Sequence, residues 1–175
     1  MRWLPDPTIV AGIPLWAAVA YEGPARGLVT ALKFRGAAGA AEVMASQIAA
    51  NTPRDALDAR DLVPVPLHPR RLRRRGFNQA ERLAAAIAAR TGLAVASCLE
   101  RCGPSATQVG RDRAERLLAP AGTVRPAAGA DVPRRAILVD DVVTTGGTLA
   151  ACAATLREAG ARAVSAVAYA RTPGR

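Results

Sequence analysis

The sequence has few aromatic residues, one histidine and few cysteines, and each shortage excludes a class of protein. Aromatic residues make up 3% of the 175 residues, so a core must be built from Ala, Val, Leu and Ile. The same shortage argues against a protein that stacks single-stranded nucleic acid on aromatic rings. The single histidine, His68, excludes a multi-histidine metal site. The cysteines form neither a C-x-x-C pair nor a zinc pattern, so no zinc is expected.

Long apolar runs are also missing. No stretch of about eighteen apolar residues is present, so we expect no membrane span. Pro5, Asp6 and Pro7 interrupt the N-terminus, which lacks the charged-then-apolar order of a signal peptide. We therefore expect a cytoplasmic protein with reduced thiols.

Positive charge is abundant by contrast. The net charge is +10, and it comes almost wholly from arginine, because Lys33 is the only lysine. Richness in Ala, Arg, Gly and Pro is typical of a GC-rich genome, which is one reading of this bias. The functional reading is attraction to anions such as phosphates or nucleic acid.

The most informative stretch is ILVDDVVTTGGT, residues 137–148. An apolar run predicts a buried strand, Asp140 and Asp141 follow it as an acidic turn, and a threonine/glycine loop leads into a helical pattern. Acids at the carboxyl end of a parallel strand lie where such sheets bind ligands. We expect both acids to be largely solvated.

Each residue type in the loop suits an anion. Glycines let backbone N–H groups approach a phosphate, threonines add hydroxyl donors, and a helix start adds its positive dipole end. The adjacent acids suit sugar hydroxyls or a metal held through water. The loop is neither a Walker A sequence nor a G-x-G-x-x-G fingerprint.

The whole string resembles the phosphoribosyl pyrophosphate (PRPP) signature of type I phosphoribosyltransferases. The resemblance implies that Asp140 and Asp141 contact the ribose hydroxyls. It also implies that the 5′-phosphate is held by Thr144, Thr145, Gly146, Gly147 and Thr148.

A second constellation spans residues 68–79, HPRRLRRRGFNQ, and holds five arginines in six positions. Guanidinium groups bind phosphate oxygens in pairs, and the cluster follows a predicted strand, so it can face the same crevice as the acids. A solvated basic turn or a nucleic-acid patch remains the alternative. His68 is assigned no proton-transfer role.

The segment VPVPLHPRRLRRRGFNQAERLA is very similar to the ComF family, a bacterial branch of the phosphoribosyltransferase fold linked to competence and DNA uptake. LKFRG, residues 32–36, also matches, as does the spacing of Gln108 and Arg113. The resemblance implies a flexible loop with Gln108, Arg111 and Arg113. It implies a pyrophosphate site with Leu67, His68, Arg70, Arg71, Arg74 and Arg75.

Two features depart from the family pattern. The four-cysteine zinc module of many members is absent, and the Asn and Phe usual after the glutamine loop are missing near Arg116 and Val124. The second departure puts in doubt whether the loop closes over a substrate.

Periodicity predicts an α/β chain. We predict strands at residues 15–21, 62–67, 93–97, 136–139 and 163–169, a weak edge strand within 121–132, and helices at 25–34, 40–50, 78–90 and after 148. Residues 53–60 are predicted as a polar connection and 101–120 as a mobile loop. The expected fold is type I phosphoribosyltransferase-like, with a parallel twisted sheet flanked by helices and a small hood. Residues 1–14 would form an arm and 15–175 one domain, with its hood near 23–60 plus the chain end.

The resemblance implies binding of PRPP or ribose 5-phosphate with Mg²⁺, which would contact mainly substrate oxygens rather than a metal site of the protein alone. Three functions remain open: phosphoribosyl transfer to an unknown nitrogen acceptor, a non-catalytic PRPP or nucleotide sensor, and an accessory protein of DNA uptake or repair. The third would contact DNA or a DNA-handling protein. The oligomeric state is left open, a dimer included.

Overall fold

Strands and helices are interspersed along the chain. The structure, a computed structural model, describes residues 1–35, 37–58, 60–102 and 123–172. The elements in chain order are β1 (Thr8–Val10), β2 (Ile13–Ala20), α1 (Pro24–Arg35), α2 (Ala38–Asn51), α3 (Arg54–Leu57), β3 (Asp61–Pro64), α4 (Pro69–Arg75), α5 (Gln79–Thr91), β4 (Leu99–Arg101), β5 (Val124–Pro126), β6 (Arg135–Val143), α6 (Gly147–Glu158) and β7 (Ala163–Arg171).

The central sheet has five strands in the order β1-β2-β7-β6-β3. The neighbours β2 and β7, β7 and β6, and β6 and β3 run parallel, while β1 joins the edge antiparallel to β2. Strands β6 and β7 are almost continuously apolar because both of their faces are covered, as parallel strands require. The predicted class, α/β with a parallel sheet flanked by helices, is confirmed, and the antiparallel edge strand β1 is the exception.

One apolar cluster lies on each face of the sheet. On one face α1, α2 and α5 contribute Leu32, Met44 and Ile87. On the other face α6 packs with the two-stranded ribbon of β4 and β5, and Cys152 is buried there. Small and branched aliphatic side chains make up most of both clusters, and Tyr169 is a fully buried aromatic residue in the first.

The N-terminal segment differs from its prediction as an arm. Strand β1 pairs with β2 through a turn in which Ala11 and Gly12 both have positive φ, 53° and 71°. Further hydrogen bonds join Leu4 N–H to the Ala18 carbonyl and Ala20 N–H to the Arg2 carbonyl. Prolines suggested a linker, but they are compatible with an edge strand, which needs fewer backbone donors.

Three other local predictions were wrong. Residues 53–60 contain the short helix α3, and residues 69–75, predicted only as a basic run, form α4. The strand predicted at 93–97 is reduced to a single bridge between Leu62 and Val95, and β4 begins six residues later, at Leu99. Helix α4 forms because Pro69 stands in its first turn and Gly76, with φ of 80°, ends it.

The region predicted as a hood forms α1, α2 and α3. Helix α2 lies on the sheet against β2 and β7 and beside α5, whereas the end of α1 reaches the carboxyl edge of the sheet through Lys33. Across the described residues, no helix is long and apolar enough to cross a membrane.

Candidate functional site

Both acids lie inside β6, not in a turn after it. Asp140 pairs in register with Ala168 of β7, and the strand continues to Val143. Successive strand residues point to opposite faces, so the two carboxylates have different surroundings. Asp141 is only 2% exposed, which corrects the expectation that both acids are solvated. The buried partners described below explain how a carboxylate is accommodated there.

The threonine/glycine loop, residues 144–148, connects β6 to α6 and encloses a small pocket. This pocket, about 50 Å³, is lined by all five predicted loop residues together with Asp140. Gly146 has φ of 80° and stands at the N-cap of α6, so the backbone N–H groups of the first helical turn are available to an anion. A Cβ at Gly146 would collide with Cγ1 of Val10 in β1, so the loop is packed against the N-terminal strand.

A second, larger cleft of about 190 Å³ adjoins this loop pocket. Asp140, Val142 and Thr148 line both spaces, so the two form one continuous surface around Asp140. The remaining lining residues of the cleft come from α1, the segment between β3 and α4, α4, α5, β4 and β6: Lys33, Val65, Pro66, Leu67, Arg71, Arg75, Gln79, Arg101 and Asp141.

The arginine run divides between two faces of α4. Arg71 and Arg75, four residues apart, line the cleft together with Leu67. Arg70 and Arg74, also four apart and on another face, are exposed and are not among the described residues that line it. A helix places residues four apart on one side, and in this structure Arg71 and Arg75 are the pair on the side of the acids.

His68 has a structural role at the start of α4. Its Nδ1 accepts a hydrogen bond from the Arg70 N–H at 3.1 Å, which caps the start of α4. It does not line the cleft, so the structure brings Leu67, Arg71 and Arg75 to the acids, but not His68, Arg70 or Arg74.

Asp141 is held by two partners from different helices. Lys33 at the end of α1 forms an ion pair with its Oδ2 at 2.8 Å, and the Gln79 side chain donates to its Oδ1 at 3.3 Å. Gln79 Oε1 in turn accepts a hydrogen bond from Arg75. The Arg75 guanidinium lies 5.8 Å from the centre of the Phe34 ring, beside Lys33. We call these five residues the Asp141 ring.

The site electrostatics favour an anionic ligand. Burial lowers the pKa of Arg75, the Asp141 carboxylate opposes this, and neighbouring Arg71 and Arg74 lower it further. Clustered guanidiniums repel one another, and an anion between them relieves that repulsion. Burial also raises the pKa of Asp140 well above its ordinary value, and the charge of Asp141 adds to the effect.

Sequence reasoning missed three polar residues that line the cleft. Lys33 and Gln79 lie inside the two quoted motifs and were given no role there, although the only lysine of the chain was a usable signal. Arg101, at the end of β4, gave no sequence signal. The predicted loop residues Gln108, Arg111 and Arg113 lie outside the described residues.

Among the described residues, Asp140 is the one carboxylate that borders both the loop pocket and the cleft. Within the described ranges no group of three or more His, Cys, Asp or Glu side chains could hold a metal. Oδ1 of Asp140 accepts a hydrogen bond from the Asp141 N–H at 2.8 Å. Its other oxygen suits a hydrated cation or a sugar hydroxyl.

Comparison with known proteins confirms the resemblance to the ComF family. The chain is 37% identical over 105 residues to competence protein ComFC of Streptococcus pneumoniae, a match that covers 58% of this chain and 44% of that protein. The matched part is therefore less than half of that relative's length. A solved structure described as the allosteric regulatory enzyme of purine biosynthesis matches 73% of this chain and 25% of its own, with 21% identity and a TM-score of 0.47. No family model matches.

Proposed function

We propose that this chain, a ComF-like protein with a phosphoribosyltransferase-like signature, binds PRPP with Mg²⁺ at the carboxyl edge of its sheet. The observation that carries the proposal is the position of Asp140 between the loop pocket and the arginine-lined cleft. PRPP has the same order of groups, with ribose between a 5′-phosphate and a pyrophosphate. The loop would hold the phosphate, Asp140 the ribose hydroxyls, and the cleft the pyrophosphate.

The same arrangement supports phosphoribosyl transfer to a nitrogen acceptor. In that reaction the bond from C1 to pyrophosphate breaks, a bond from C1 to nitrogen forms, and the nitrogen gives up a proton. Arg71 and Arg75 would stabilise the negative charge that builds on the departing pyrophosphate. When bound with the substrate, Mg²⁺ supplies further charge neutralisation there. The acceptor is the unassigned part of the reaction.

Two pairs of arginines on α4 provide a matched test of the pyrophosphate site. Arg71→Ala with Arg75→Ala should weaken PRPP binding at least about a hundredfold more than ribose 5-phosphate binding, because two charge-assisted contacts of about 1.5–3 kcal/mol each are lost. Arg70→Ala with Arg74→Ala removes the same charge from the same helix and should leave the ratio of the two affinities unchanged. Calorimetry with both ligands measures this ratio. Equal losses for both pairs of variants would contradict the proposed site.

A turnover screen separates an enzyme from a sensor. The wild-type protein, PRPP, Mg²⁺ and a panel of nitrogenous bases are combined, and released pyrophosphate is measured. Base-dependent release that is lost in the Arg71/Arg75 variant supports transfer. Tight PRPP binding without release from any base would instead support a PRPP sensor.

The exposed face of α4 favours a second candidate function. Arg70, Arg73 and Arg74 are exposed and do not line the cleft, so they are available to a polyanion while PRPP is bound. An accessory protein of DNA uptake or repair would use such a face. Binding to DNA that survives Asp140→Asn would support this candidate.

A further inference from the structure

Two sequence motifs meet at Asp141. The proposed PRPP site gives a ligand contact to only some of their residues. LKFRG supplies Lys33 and Phe34 from the end of α1, and RRRGFNQ supplies Arg75 from α4 and Gln79 from the start of α5. Each of these four side chains contacts Asp141 or another member of the Asp141 ring. The contacts therefore join three helices to β6 on one side of the cleft.

We propose, resting on the PRPP site above, that Asp141 is a positioning residue for Arg75 and Lys33 rather than a ribose ligand. Oδ1 of Asp141 accepts a hydrogen bond from Gln79, and Oδ2, which accepts no hydrogen bond from the described residues, is neutralised by its ion pair with Lys33 at 2.8 Å. A carboxylate that is 2% exposed has little surface left for a sugar hydroxyl. Asp140, its neighbour, borders both spaces and takes the ribose role alone.

Gln79 is the link that passes this effect to Arg75. Its amide nitrogen donates to Asp141, which orients its oxygen towards the Arg75 guanidinium. Gln79 is buried, and the preceding Asn78 fixes the start of α5 by accepting the Ala80 N–H and donating to the Val65 carbonyl. A fixed amide acceptor restricts the long arginine side chain to one direction, and this reduces the entropy lost when an anion binds.

Phe34 is the member of the Asp141 ring that lies on the solvent side. Its side chain is 70% exposed, and the guanidinium of Arg75 lies over it. Arg75 is therefore held between an amide and an aromatic face, whereas Arg71, on the same helix and in the same cleft, lies outside the ring. Arg71 is thus an internal reference for any measurement on Arg75.

The first test needs no ligand. The rate at which phenylglyoxal modifies Arg75 and Arg71 is measured by mass spectrometry after digestion with a protease that does not cleave at arginine. Gln79→Ala and Asp141→Asn should each raise the Arg75 rate by up to about tenfold, the equivalent of one charge-assisted hydrogen bond, without changing the Arg71 rate. An unchanged Arg75 rate in both variants would overturn the proposal.

The second test separates positioning from ribose binding. Affinities for inorganic pyrophosphate and ribose 5-phosphate are measured by calorimetry. Positioning predicts that Gln79→Ala and Asp141→Asn weaken pyrophosphate and leave ribose 5-phosphate unchanged, and that Gln79→Ala has no further effect on pyrophosphate once Arg75→Ala is present. Loss of ribose 5-phosphate affinity in Asp141→Asn, with none of pyrophosphate in Gln79→Ala, would show instead that Asp141 is a ribose ligand.

Controls keep the outcomes distinct. Glu81→Gln removes an exposed acid from the first turn of α5 and should change neither the labelling rate nor either affinity. If Asp141→Asn does not give a native melting curve, Gln79→Ala carries both tests. If the wild-type protein binds neither pyrophosphate nor PRPP, the proposed function fails, and the labelling rates still decide the Asp141 ring.

Discussion

The two halves of the candidate site are built in different ways. The loop half consists of consecutive residues, 144–148, and offers mainly backbone N–H groups and hydroxyls at the start of α6. The cleft half consists of long side chains that arrive from α1, α4, α5 and β4. A backbone site is fixed as soon as its strand and helix are in place, whereas a side-chain site also needs partners such as Gln79 to hold it. The loop half should therefore fail as a whole, and the cleft half should weaken in steps.

A single added methyl group should abolish phosphate binding by the loop half of the site. Gly146→Ala places a Cβ against the Val10 side chain, so Val10 or the loop must shift, and the positive φ strains any residue other than glycine there. We expect roughly a hundredfold or greater loss of affinity for both ribose 5-phosphate and PRPP, measured by calorimetry, because several contacts to one phosphate are lost together. Gly27→Ala, in α1, is the control: no atom of the described residues lies within 4 Å of the added group, and this variant should bind normally. Retained phosphate affinity in Gly146→Ala would refute the loop as the phosphate site.

The cleft half should lose affinity one guanidinium at a time. Arg101→Ala removes one lining residue and should weaken PRPP about tenfold while leaving ribose 5-phosphate unchanged. Arg125→Ala, on the paired strand β5, removes the same charge from an exposed ion pair with Glu100. It should have little effect, and a similar loss in both variants would mean that net charge, not position, attracts the ligand.

The exposed face of α4, which carries Arg70 and Arg74, can be compared with the face that lines the cleft. If Arg70 and Arg74 contact a nucleic-acid backbone, their double replacement by Ala should lower DNA affinity severalfold and flatten the salt dependence by about two units of log–log slope. Fluorescence anisotropy over a salt series measures both. The Arg71/Arg75 variant is the matched control, and an equal flattening there would place DNA in the cleft rather than on the exposed face.

Asp140 should reduce the stability of the free protein. Its pKa is raised in the folded state by burial and by Asp141, so the folded protein favours the neutral carboxyl. Ionisation therefore removes stability progressively as the pH rises above the ordinary value of 3.8 towards the raised value. Asp140→Asn should raise the Tm by about 2–4 °C at neutral pH and by less under acidic conditions. A difference in Tm that does not grow with pH would contradict this.

The same contrast explains how far sequence alone could reach. The loop, its glycines and Asp140 were predictable because strand, loop and helix are contiguous, and local pattern determines their order. Which arginines line the cleft was not predictable, because the sequence analysis does not predict α4. The helical turn of α4 is what separates Arg71 and Arg75 from Arg70 and Arg74. The burial of Asp141 depends on Lys33, more than a hundred residues earlier in the chain. Such a contact is set by the packing of α1 on the finished sheet, which periodicity does not reveal.

The strand order has a consequence for how the protein folds. Strand β7, one of the last elements, lies between β2 and β6, so the middle of the sheet joins residues such as Leu15 and Ala166. Pairings this distant in sequence form slowly, because a long loop must close before they give any stabilisation. During synthesis the apolar strands β2 and β6 each have an unpaired edge until β7 has been made. Aggregation competes with folding during this period. We therefore expect folding yield to depend on chaperones and on the rate of translation of the last third of the chain.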